Sequence, residues 1–367
     1  MSGSRFLFSN GMVSHASDAP SVKVLLETHP GAYTTSRTHN NASCLLFWER
    51  HMKRLSESIR ILSSSAPQLL FKSHKTSNLL PSSVSLPIWQ SMAQMLVNDS
   101  LRKVLPIALK HRSDHEELAI TTLVSGNSEE LRAYEIMDEE NVSKVLDVNV
   151  HVETYIPPVF GIPGNGAHLA VVGCGRDVAA AKYSDWVRVR KSLEKLRPPS
   201  VTELLLSNDG DKILEGCVTN FFVVCYKEWD ANNANSLTDF GNIYPFEVQT
   251  APISDGVLTG TIRQVVIEVC KNNGIPVREV APSWSELELW QEAFITNSLR
   301  LLQHVDSIQV PIEWQSVHSK TWKDVSWERK EFQGGPGMIT TIIQEQIMDK
   351  ATLEGYPISN LYEVIEG

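Results

Sequence analysis

The first clear pattern along the chain is an apolar stripe that predicts an amphipathic helix. After Leu45, the apolar residues Met52, Leu55, Ile59 and Leu62 recur at i, i+3, i+7 and i+10. This spacing brings side chains to one face of an α-helix. We therefore expect one buried face, with polar residues distributed around the other faces: His51, Arg54, Ser58 and Arg60.

The rest of the first half predicts a loop, a second helix and two strands. The stretch 63–87 is rich in Ser and Pro, which predicts a loop, and a helix is predicted over about 88–96. Residues 117–124 have the β-branched content of a strand. At 148–153 valines alternate with polar residues, so we expect a strand with one buried and one solvated face.

The second half alternates between strand and helix patterns. Strands are predicted at 204–206, 213–214, 221–225 and 293–296, with a hairpin turn at 207–210. Helices are predicted from about Thr261 to a stop at Gly274, after a capping box at Ser283–Glu286, and over Met338–Met348. An Asn-rich stretch at 231–235 predicts a surface loop. Together these elements predict a mixed α/β (α+β) fold class in both halves.

A stretch rich in proline and glycine divides the chain. Because 367 residues exceed the roughly 150 of a single domain, two domains are expected, joined through IPPVFGIPGNGAH at 156–168. We predict a smaller N-terminal α/β domain at 1–157, a linker at 158–168 and a larger C-terminal α/β domain at 169–367. The glycines of this stretch form GxxGxG, for which a phosphate-binding loop is the alternative interpretation.

Composition and charge disfavour several classes of protein. With 43 acidic and 33 basic residues the net charge is −10, which argues against a protein that binds a nucleic-acid backbone. Five widely spaced cysteines are typical of reduced thiols, and no metal site is predicted. Apolar runs are shorter than the roughly 18 residues of a membrane span. We expect a cytoplasmic protein without a membrane partner, and an organelle transit peptide is the alternative.

Three charged residues are candidates for chemistry, and each has an ordinary alternative. Lys182 follows four small or apolar residues, so its amine is predicted to enter a dry environment in which it can attack a carbonyl. The alternative is a lysine that reaches solvent from a strand edge. Glu215 at a hairpin end and Arg54 on a helix are ordinarily solvated charges. The helix start at Thr261 offers N–H groups and a dipole to an anion, as every helix start does.

These residues lie in five ordered motifs that resemble the class IV aminotransferases, the pyridoxal-phosphate (PLP) enzymes of fold type IV. That family holds branched-chain and D-amino-acid aminotransferases and aminodeoxychorismate lyase. The resemblance runs from about Gly31 to Ile308. Its motifs are GAYTTSR (31–37) followed by HMKRL (51–55), the lysine of AAAKYSDW (179–186), LEGCVTNFFVV (214–224), GVLTGTIRQ (256–264) and FITNS (294–298).

The resemblance implies a two-domain D-amino-acid-aminotransferase-like fold and PLP as the cofactor. It implies that Lys182 forms a Schiff base with PLP and acts as the catalytic base, and that Glu215 faces the pyridine nitrogen. Thr35 and Arg37 are the implied substrate residues. The implied phosphate ligands come from three motifs: Arg54, Thr261, Ile262, Asn297 and Ser298.

The chain departs from the family pattern just after the lysine. The family usually has Asn three or four residues after it, followed by Tyr in the branched-chain group, whereas Asp185 and Trp186 stand here. Tyr183 adjoins the lysine, but adjacent side chains on a strand point to opposite faces. The family resemblance therefore does not predict the pKa of the Schiff base that Lys182 is implied to form.

The implied activity is the transfer of an amino group between a small amino acid and a 2-oxo acid, with small molecules as partners and a homodimer as the assembly. Thr34–Arg37 and the pair Arg263–Gln264 resemble the lyase branch, so 4-amino-4-deoxychorismate lyase is the alternative. The departure at Asp185 is compatible with a third interpretation, a catalytically silent PLP-binding or interaction protein. Retention of Lys182, Glu215 and Arg54 argues against it.

Overall fold

The computed structural model describes residues 4–9, 11–14, 19–71, 86–132, 141, 143–226, 245–315, 321–332 and 334–362. Two of the sequence predictions fall outside these ranges: the Asn-rich loop at 231–235 and the part of the Ser- and Pro-rich stretch that covers 72–85.

The described chain contains both strands and helices, with runs of each kind along the sequence. The strands are β1 (Arg5–Ser9), β2 (Met12–Ser14), β3 (Ala32–His39), β4 (Cys44–Leu45), β5 (Glu117–Gly126), β6 (Leu146–Tyr155), β7 (Ala167–Gly173), β8 (Glu203–Ser207), β9 (Ile213–Gly216), β10 (Asn220–Tyr226), β11 (Phe246–Thr250), β12 (Val277–Glu279), β13 (Trp290–Asn297), β14 (Leu301–Pro311), β15 (Trp327–Glu331) and β16 (Tyr356–Pro357). The α-helices are α1 (Val22–Thr28), α2 (Trp48–Ser65), α3 (Gln68–Phe71), α4 (Leu86–His111), α5 (Ser128–Arg132), α6 (Trp186–Val189), α7 (Lys191–Glu194), α8 (Thr261–Asn272) and α9 (Met338–Leu353). Short 3-10 helices cover Ser143–Val145, Ile253–Asp255, Trp284–Leu289, Trp322–Asp324 and Ile358–Leu361.

The chain forms two compact units. The first comprises Met1–Pro157, Ala180–Val189 and Ala351–Gly367, and the second comprises Pro158–Ala179 and Arg190–Lys350. The domain division expected from the sequence assigns Lys182 to the C-terminal domain, whereas its segment makes its contacts in the first unit. The physical reason is a backbone pairing, because Ala32 and Tyr183 form an antiparallel bridge.

An antiparallel seven-stranded sheet organises the first unit. Its strand order is β16-β4-β3-β5-β6-β1-β2, and α2 contacts β3 while α4 contacts β6. The predicted apolar stripe of α2 is confirmed, since Met52, Leu55, Ile59 and Leu62 are all fully buried. Two of its polar neighbours are also buried, His51 and Ser58, so the expectation that they lie on polar outer faces is wrong.

A ring of six strands forms the centre of the second unit. The strands β10, β13, β14, β7, β8 and β9 follow one another, and β9 pairs with β10 through Glu215 and Asn220 to close the ring. Strands β11 and β12 extend this sheet beyond β10, and β15 pairs with β14. Apolar side chains fill the core, including Leu169, Val171 and Phe221. Ring closure thus places two signature residues opposite each other.

Several predicted elements differ from the structure in extent. The helix predicted over 88–96 continues to His111 in α4, because a second apolar stripe follows the polar residues at 98–100: Leu101, Val104, Leu105 and Ala108, all buried. The loop predicted over 63–87 is wrong at both ends, where 63–65 belong to α2 and 86–87 belong to α4, and at Gln68–Phe71, which is helical. The predicted helix over Thr261–Asn272 is confirmed, and Gly274 follows it with a φ of +65°.

Two local predictions fail because polar side chains find protein partners. The face of β6 expected to be solvated carries Asn149 and His151, both buried, and His151 Nε2 donates to the Pro20 carbonyl oxygen at 3.0 Å. The capping box predicted at Ser283 does not form. Its hydroxyl donates to Asp211 instead, and residues 284–289 are a 3-10 helix.

The cysteines agree with the sequence prediction, because all five are free thiols. Within the ranges that the structure describes, no helix has the length and apolar character needed to cross a membrane.

Candidate active site

Lys182 lies on a short segment that runs alongside the start of β3. The Tyr33 N–H donates to the Lys182 carbonyl at 2.9 Å, and the Ser184 N–H donates to the Gly31 carbonyl at 2.9 Å. From the other side, the Lys182 N–H donates to Ser58 Oγ on α2 at 3.1 Å. These three hydrogen bonds fix the main chain on both sides of the lysine, which limits where its side chain can reach.

The Lys182 side chain is half-buried, and its Nζ atom lies 4.6 Å from the centre of the Tyr33 ring. An ammonium over an aromatic face is attracted by the negative quadrupole of the ring. Tyr33 itself is buried, with 6% of its surface exposed. The lysine is therefore neither fully dry nor fully solvated, an intermediate between the two expectations from the sequence.

The residues that depart from the family pattern build the turn after the lysine. Asp185 forms an ion pair with Arg188 three residues on, and Trp186 is buried at the start of α6. The aromatic ring that contacts Lys182 Nζ comes instead from Tyr33, on a separate strand.

Arg54 on α2 meets two buried polar side chains. Its Nη2 atom donates to Thr34 Oγ1 on β3 at 2.7 Å, and Thr34 Oγ1 lies 2.9 Å from His51 Nδ1. Burial holds the pKa of His51 well below its usual range, and the nearby charges of Arg54 and Lys182 lower it further. His51 is therefore neutral at physiological pH. Arg54 and Lys182 thus belong to the same compact unit, and α2 carries Arg54 as well as Ser58, which contacts the Lys182 main chain.

The predicted substrate residues occupy the other face of β3. Thr35 Oγ1 lies 3.1 Å from Thr121 Oγ1 on β5. Arg37 has only 4% of its surface exposed, and its Nη1 atom donates to the Thr38 carbonyl. Among the described residues its Nε atom has no hydrogen-bond partner, and burial lowers the pKa of Arg37. A buried guanidinium with a vacant donor is suited to binding an anion.

Glu215 ends β9 in the second unit, and the structure buries it. Arg176 donates to Oε1 through Nε at 2.9 Å and Nη2 at 2.7 Å. The Leu258 N–H donates to Oε2 at 3.0 Å, and Asn220 Nδ2 lies 3.4 Å from the same oxygen. With 2% of its surface exposed, Glu215 is not the solvated hairpin-end carboxylate that its position alone indicates. It is a buried carboxylate opposite a buried guanidinium.

The start of α8 has the features of an anion site. No side chain caps the helix and its first turn has no acidic residue. The hydroxyls of Thr261 and Thr296 are buried, and neither has a hydrogen-bond partner among the residues that the structure describes. Buried hydroxyls normally find a partner, so these two fit a ligand that supplies acceptors. A helix N-terminus and two donor hydroxyls are the donor set that a phosphate requires.

Gly260 and Asn220 hold this helix start against Glu215. A Cβ atom at Gly260 would lie 2.0 Å from Asn220 Oδ1, so only glycine allows the approach. Asn220 Nδ2 also donates to the Leu258 carbonyl at 3.0 Å. The amide therefore connects the carboxylate of β9 to the turn that precedes α8.

Two other predicted or noted polar residues are already engaged. Asn297 Oδ1 accepts hydrogen bonds from the N–H groups of Leu299 and Arg300 at 3.0 and 2.8 Å, so its oxygen builds the turn after β13. Ser298 in that turn is half-buried. Arg263 is buried and donates to Glu279 and to a carbonyl oxygen, which makes it a structural residue of α8.

Sequence reasoning assigned no role to several polar residues of these sites. Arg176 and Thr296 lie outside the motif positions to which a role was given, and Asn220 was only a letter of its motif. His51 and Ser58 had a usable signal, because they lie three residues before and four residues after Arg54 on one helix, spacings that place side chains on the same face. Thr34 contacts that face from β3.

Residues 178–308 match the family model described as "Amino-transferase class IV". The whole chain is similar to the branched-chain aminotransferase of the archaeon Thermoproteus uzoniensis, with a TM-score of 0.58, 18% identity and 96% of each chain covered. The chain has the class IV aminotransferase fold. The branched-chain aminotransferase of Escherichia coli gives a TM-score of 0.56 at 17% identity, with 95% of each chain covered.

The class IV fold is accompanied by a short stretch of closer sequence similarity. Over 57 residues the chain is 39% identical to D-alanine aminotransferases of Listeria monocytogenes serotype 1/2a (strain 10403S) and Listeria innocua serovar 6a (strain ATCC BAA-680 / CLIP 11262), which is 15% of this chain and 20% of theirs. The chain thus spans about a fifth of the length of these curated relatives.

The comparisons confirm the mixed α/β fold class and the predicted resemblance to class IV aminotransferases. A further similar structure is an aminotransferase from Brucella abortus bound to PLP, with a TM-score of 0.55, 14% identity and coverage of 95% of this chain and 99% of that one. The predicted cofactor is the same as the cofactor in that aminotransferase structure.

Proposed function

We propose that this protein is a PLP-dependent aminotransferase that moves an amino group between a small amino acid and a 2-oxo acid. The observation that carries the proposal is the setting of Lys182. Three hydrogen bonds hold the main chain around it, its amine lies over the Tyr33 ring, and the motif around it resembles the one that carries the cofactor lysine in the class IV family. Lys182 is the proposed attachment point of PLP.

The proposed phosphate ligands are the guanidinium of Arg54, the N–H groups of Thr261 and Ile262, and the hydroxyls near the end of β13. The unpartnered buried hydroxyls of Thr261 and Thr296 support this assignment. Asn297 and Ser298 remain in the proposed set, with Ser298 as the hydroxyl donor because the Asn297 oxygen already accepts two backbone hydrogen bonds. The guanidinium supplies one positive charge, and the backbone N–H groups supply hydrogen bonds and the positive end of the helix dipole, all of which stabilise a bound phosphate.

When bound, PLP supplies an electron sink for the Cα atom of the substrate. Glu215 is proposed to accept a hydrogen bond from the protonated pyridine nitrogen, and Arg176 supplies the buried positive charge that pairs with this carboxylate. The Lys182 amine is proposed to act as the base that accepts the proton from the substrate Cα atom and later gives it back, because the amine would be released once the substrate amine takes its place on the cofactor.

Arg37 is proposed to bind the substrate carboxylate, and Thr35 to contact the substrate beside it. Arg37 is a buried cation with an unused donor, and Thr35 lies two residues earlier on the same face of β3. The amino acid and the 2-oxo acid both carry a carboxylate, so one guanidinium serves both halves of an aminotransferase reaction.

The test is covalent attachment of PLP to one lysine, followed by turnover. We expect borohydride reduction and mass spectrometry to place the cofactor on Lys182, and the Lys182→Ala variant to lose attachment and activity. The Lys53→Ala variant is the matched control, since Lys53 is exposed on α2. Formation of a new amino acid from a 2-oxo acid is then measured with L- and D-amino acids. Normal activity in Lys182→Ala would refute the assignment.

Aminodeoxychorismate lyase is the second candidate, because β3 carries the Thr34–Arg37 pattern of the lyase branch and presents the Thr35 hydroxyl beside Arg37. The two activities differ in product. A lyase releases pyruvate and p-aminobenzoate from aminodeoxychorismate, and an aminotransferase converts a 2-oxo acid to an amino acid. Both assays are run on one preparation of the protein, and the faster reaction identifies the activity.

A silent PLP-binding or interaction protein is the candidate from another class. It predicts that the visible absorbance of the lysine-bound cofactor stays unchanged when amino acids of either hand are added, whereas an enzyme changes it in a single turnover. A homodimer and a cytoplasmic location stay predictions, tested by sedimentation and by localisation of the tagged protein.

A further inference from the structure

A buried polar chain connects β3 to α2 at Arg54. Arg54 Nη2 lies 2.7 Å from Thr34 Oγ1 and 3.4 Å from His51 Nδ1, and Thr34 Oγ1 lies 2.9 Å from the same His51 nitrogen. We propose that Thr34 and His51 are positioning residues that hold the Arg54 guanidinium in the orientation required by the cofactor phosphate. This inference rests on the proposed function and deepens it.

The direction of each hydrogen bond in the chain follows from the donors available. A guanidinium donates and cannot accept, so Thr34 Oγ1 accepts from Arg54 and has its own proton left to donate. His51 is neutral because burial lowers its pKa. Arg54 Nη2 also lies 3.4 Å from Nδ1, so an accepting Nδ1 suits both of its neighbours, and we assign the ring proton to Nε2. Each member of the chain thus has one defined role, from Arg54 to Thr34 to His51.

Because Thr34 and His51 are buried, their hydrogen bonds hold Arg54 in a fixed position. Thr34 and His51 each have 1% of their surface exposed, and they belong to two different elements, β3 and α2. A buried hydroxyl or imidazole that loses its partner pays a desolvation penalty, so the side chains stay where their hydrogen bonds are made. An arginine side chain otherwise has several rotatable bonds, and fixing one of its nitrogens removes part of that freedom before a ligand arrives.

If Thr34 and His51 position Arg54, substituting them should weaken only the binding of ligands that carry a phosphate. If they only stabilise the fold, substituting them should affect the binding of every ligand. If the hydrogen bonds of Thr34 and His51 orient Arg54, removal of the Thr34 hydroxyl weakens the binding of ligands that carry a phosphate and leaves the binding of other ligands unchanged. Pyridoxal is PLP without the phosphate and reacts with the same lysine. The ratio of the two apparent dissociation constants therefore isolates the contribution of Arg54 from any loss that affects the whole site.

The experiment measures PLP and pyridoxal binding to the full-length protein by the absorbance of the lysine-bound form. For Thr34→Val we expect the apparent Kd for PLP to rise about tenfold, the size expected for one charge-assisted hydrogen bond, with the Kd for pyridoxal unchanged. Thr34→Ser keeps the hydroxyl and should restore the PLP-to-pyridoxal ratio. His51→Leu should resemble Thr34→Val, and His51→Asn, which keeps an acceptor, should recover part of the ratio.

Ser36→Ala is the matched control. Ser36 is buried on the same face of β3 two residues away, and its hydroxyl donates to the Leu46 carbonyl at 3.0 Å rather than to Arg54. It should leave the ratio unchanged even if it lowers stability. Thermal unfolding of each variant identifies any that do not fold, and Thr34→Ser with His51→Asn then carries the comparison.

The outcomes separate this inference from the proposed function. If Thr34→Val lowers the affinity for PLP and for pyridoxal equally, or changes neither, the ratio of the two Kd values stays the same. That result would overturn the positioning role while leaving the aminotransferase proposal intact. Failure of the wild-type protein to attach either aldehyde to Lys182 would overturn both.

Discussion

At the scale of single residues, Arg176 and Glu215 form a buried ion pair in the second unit, and Glu215 is the proposed partner of the pyridine nitrogen. Their side chains are 5% and 3% exposed. A pair removed from water in this way contributes little net stability against an apolar replacement, but removing one partner leaves an uncompensated charge. Asn220 and the Leu258 N–H complete the hydrogen bonding of the carboxylate. Glu215 therefore has both a structural and a proposed electronic role, and one substitution tests them together.

Glu215→Gln should retain PLP attachment to Lys182 and slow amino-acid turnover roughly hundredfold, because a neutral amide no longer favours the protonated pyridine nitrogen. The free energy of unfolding should fall by about 3 kcal/mol, since Arg176 then faces no negative charge. Single-turnover absorbance and urea unfolding measure the two effects. Glu288→Gln, at an exposed position, is the control, and an unchanged turnover rate would contradict the role of Glu215.

Glu203 on β8 predicts a pH dependence of stability. Burial raises its pKa to about 7, and backbone N–H donors and the charges of Arg190 and Arg300 offset this only in part. The folded pKa exceeds the unfolded value of about 4.3, so between these two values the folded state binds more protons. Stability contributed by this group is therefore present below about pH 4.3 and is lost as the pH rises to about 7.

The Glu203→Gln variant removes this titration. Relative to the variant, the wild-type protein should lose about 3 kcal/mol of unfolding free energy between pH 5 and pH 8. Urea unfolding at intervals across this range measures the difference, with Glu288→Gln as the exposed carboxyl control. A wild-type-minus-variant difference that is constant with pH would show that Glu203 does not titrate there.

At the scale of elements, the sequence predicts those whose local pattern reflects one buried apolar face. The stripe of α2 and that of α8 are of this kind. Strand β3 was not predicted, because its buried face carries Thr34, Ser36 and Thr38 rather than apolar residues. These side chains are buried because each has a partner, among them the Leu46 carbonyl and the Glu117 carboxylate. Polar partners from distant segments leave no periodic trace, so the site residues on this strand were found only through motif resemblance.

The close packing at the start of α8 predicts that one added methyl group, in Gly260→Ala, lowers the stability of the protein. Gly260→Ala places a Cβ atom where Asn220 Oδ1 now lies, 2.0 Å away, so Asn220 must leave its contacts with Glu215 and the Leu258 carbonyl. We expect a loss of about 1–3 kcal/mol in unfolding free energy, as for other overpacked sites, and weaker PLP binding.

Gly334→Ala is the control for this prediction, because a Cβ atom at Gly334 meets nothing within 4 Å. Thermal unfolding and PLP titration are measured for both variants. Equal stability of Gly260→Ala and the wild-type protein would mean that Asn220 moves without cost, which the hydrogen bonds around it argue against.

At the scale of the whole molecule, each compact unit contains some of the residues that the class IV resemblance singles out. Arg54 and Lys182 belong to the first, and Glu215 and Thr261 belong to the second. Sequence reasoning placed the lysine with the C-terminal part because it follows the linker along the chain. The structure places its segment with the first unit through backbone pairing to β3, a contact between residues about 150 positions apart that no local pattern encodes. The ring closure between β9 and β10 brings Glu215 to Asn220; both lie in the LEGCVTNFFVV motif, from which only Glu215 was given a role.

A ligand that binds only the folded chain stabilises the whole molecule by mass action. At a free PLP concentration 100 times its Kd, the free energy of unfolding should rise by about 2.7 kcal/mol, seen as a higher urea midpoint. Lys182→Ala loses the covalent contribution and should need a higher PLP concentration for the same shift, whereas Lys53→Ala should behave as the wild-type protein. Identical PLP dependence in Lys182→Ala and the wild-type protein would mean that PLP stabilises the chain at another place. Pyridoxal, tested in parallel, should require a higher concentration than PLP, because it binds the lysine without engaging Arg54 or the start of α8.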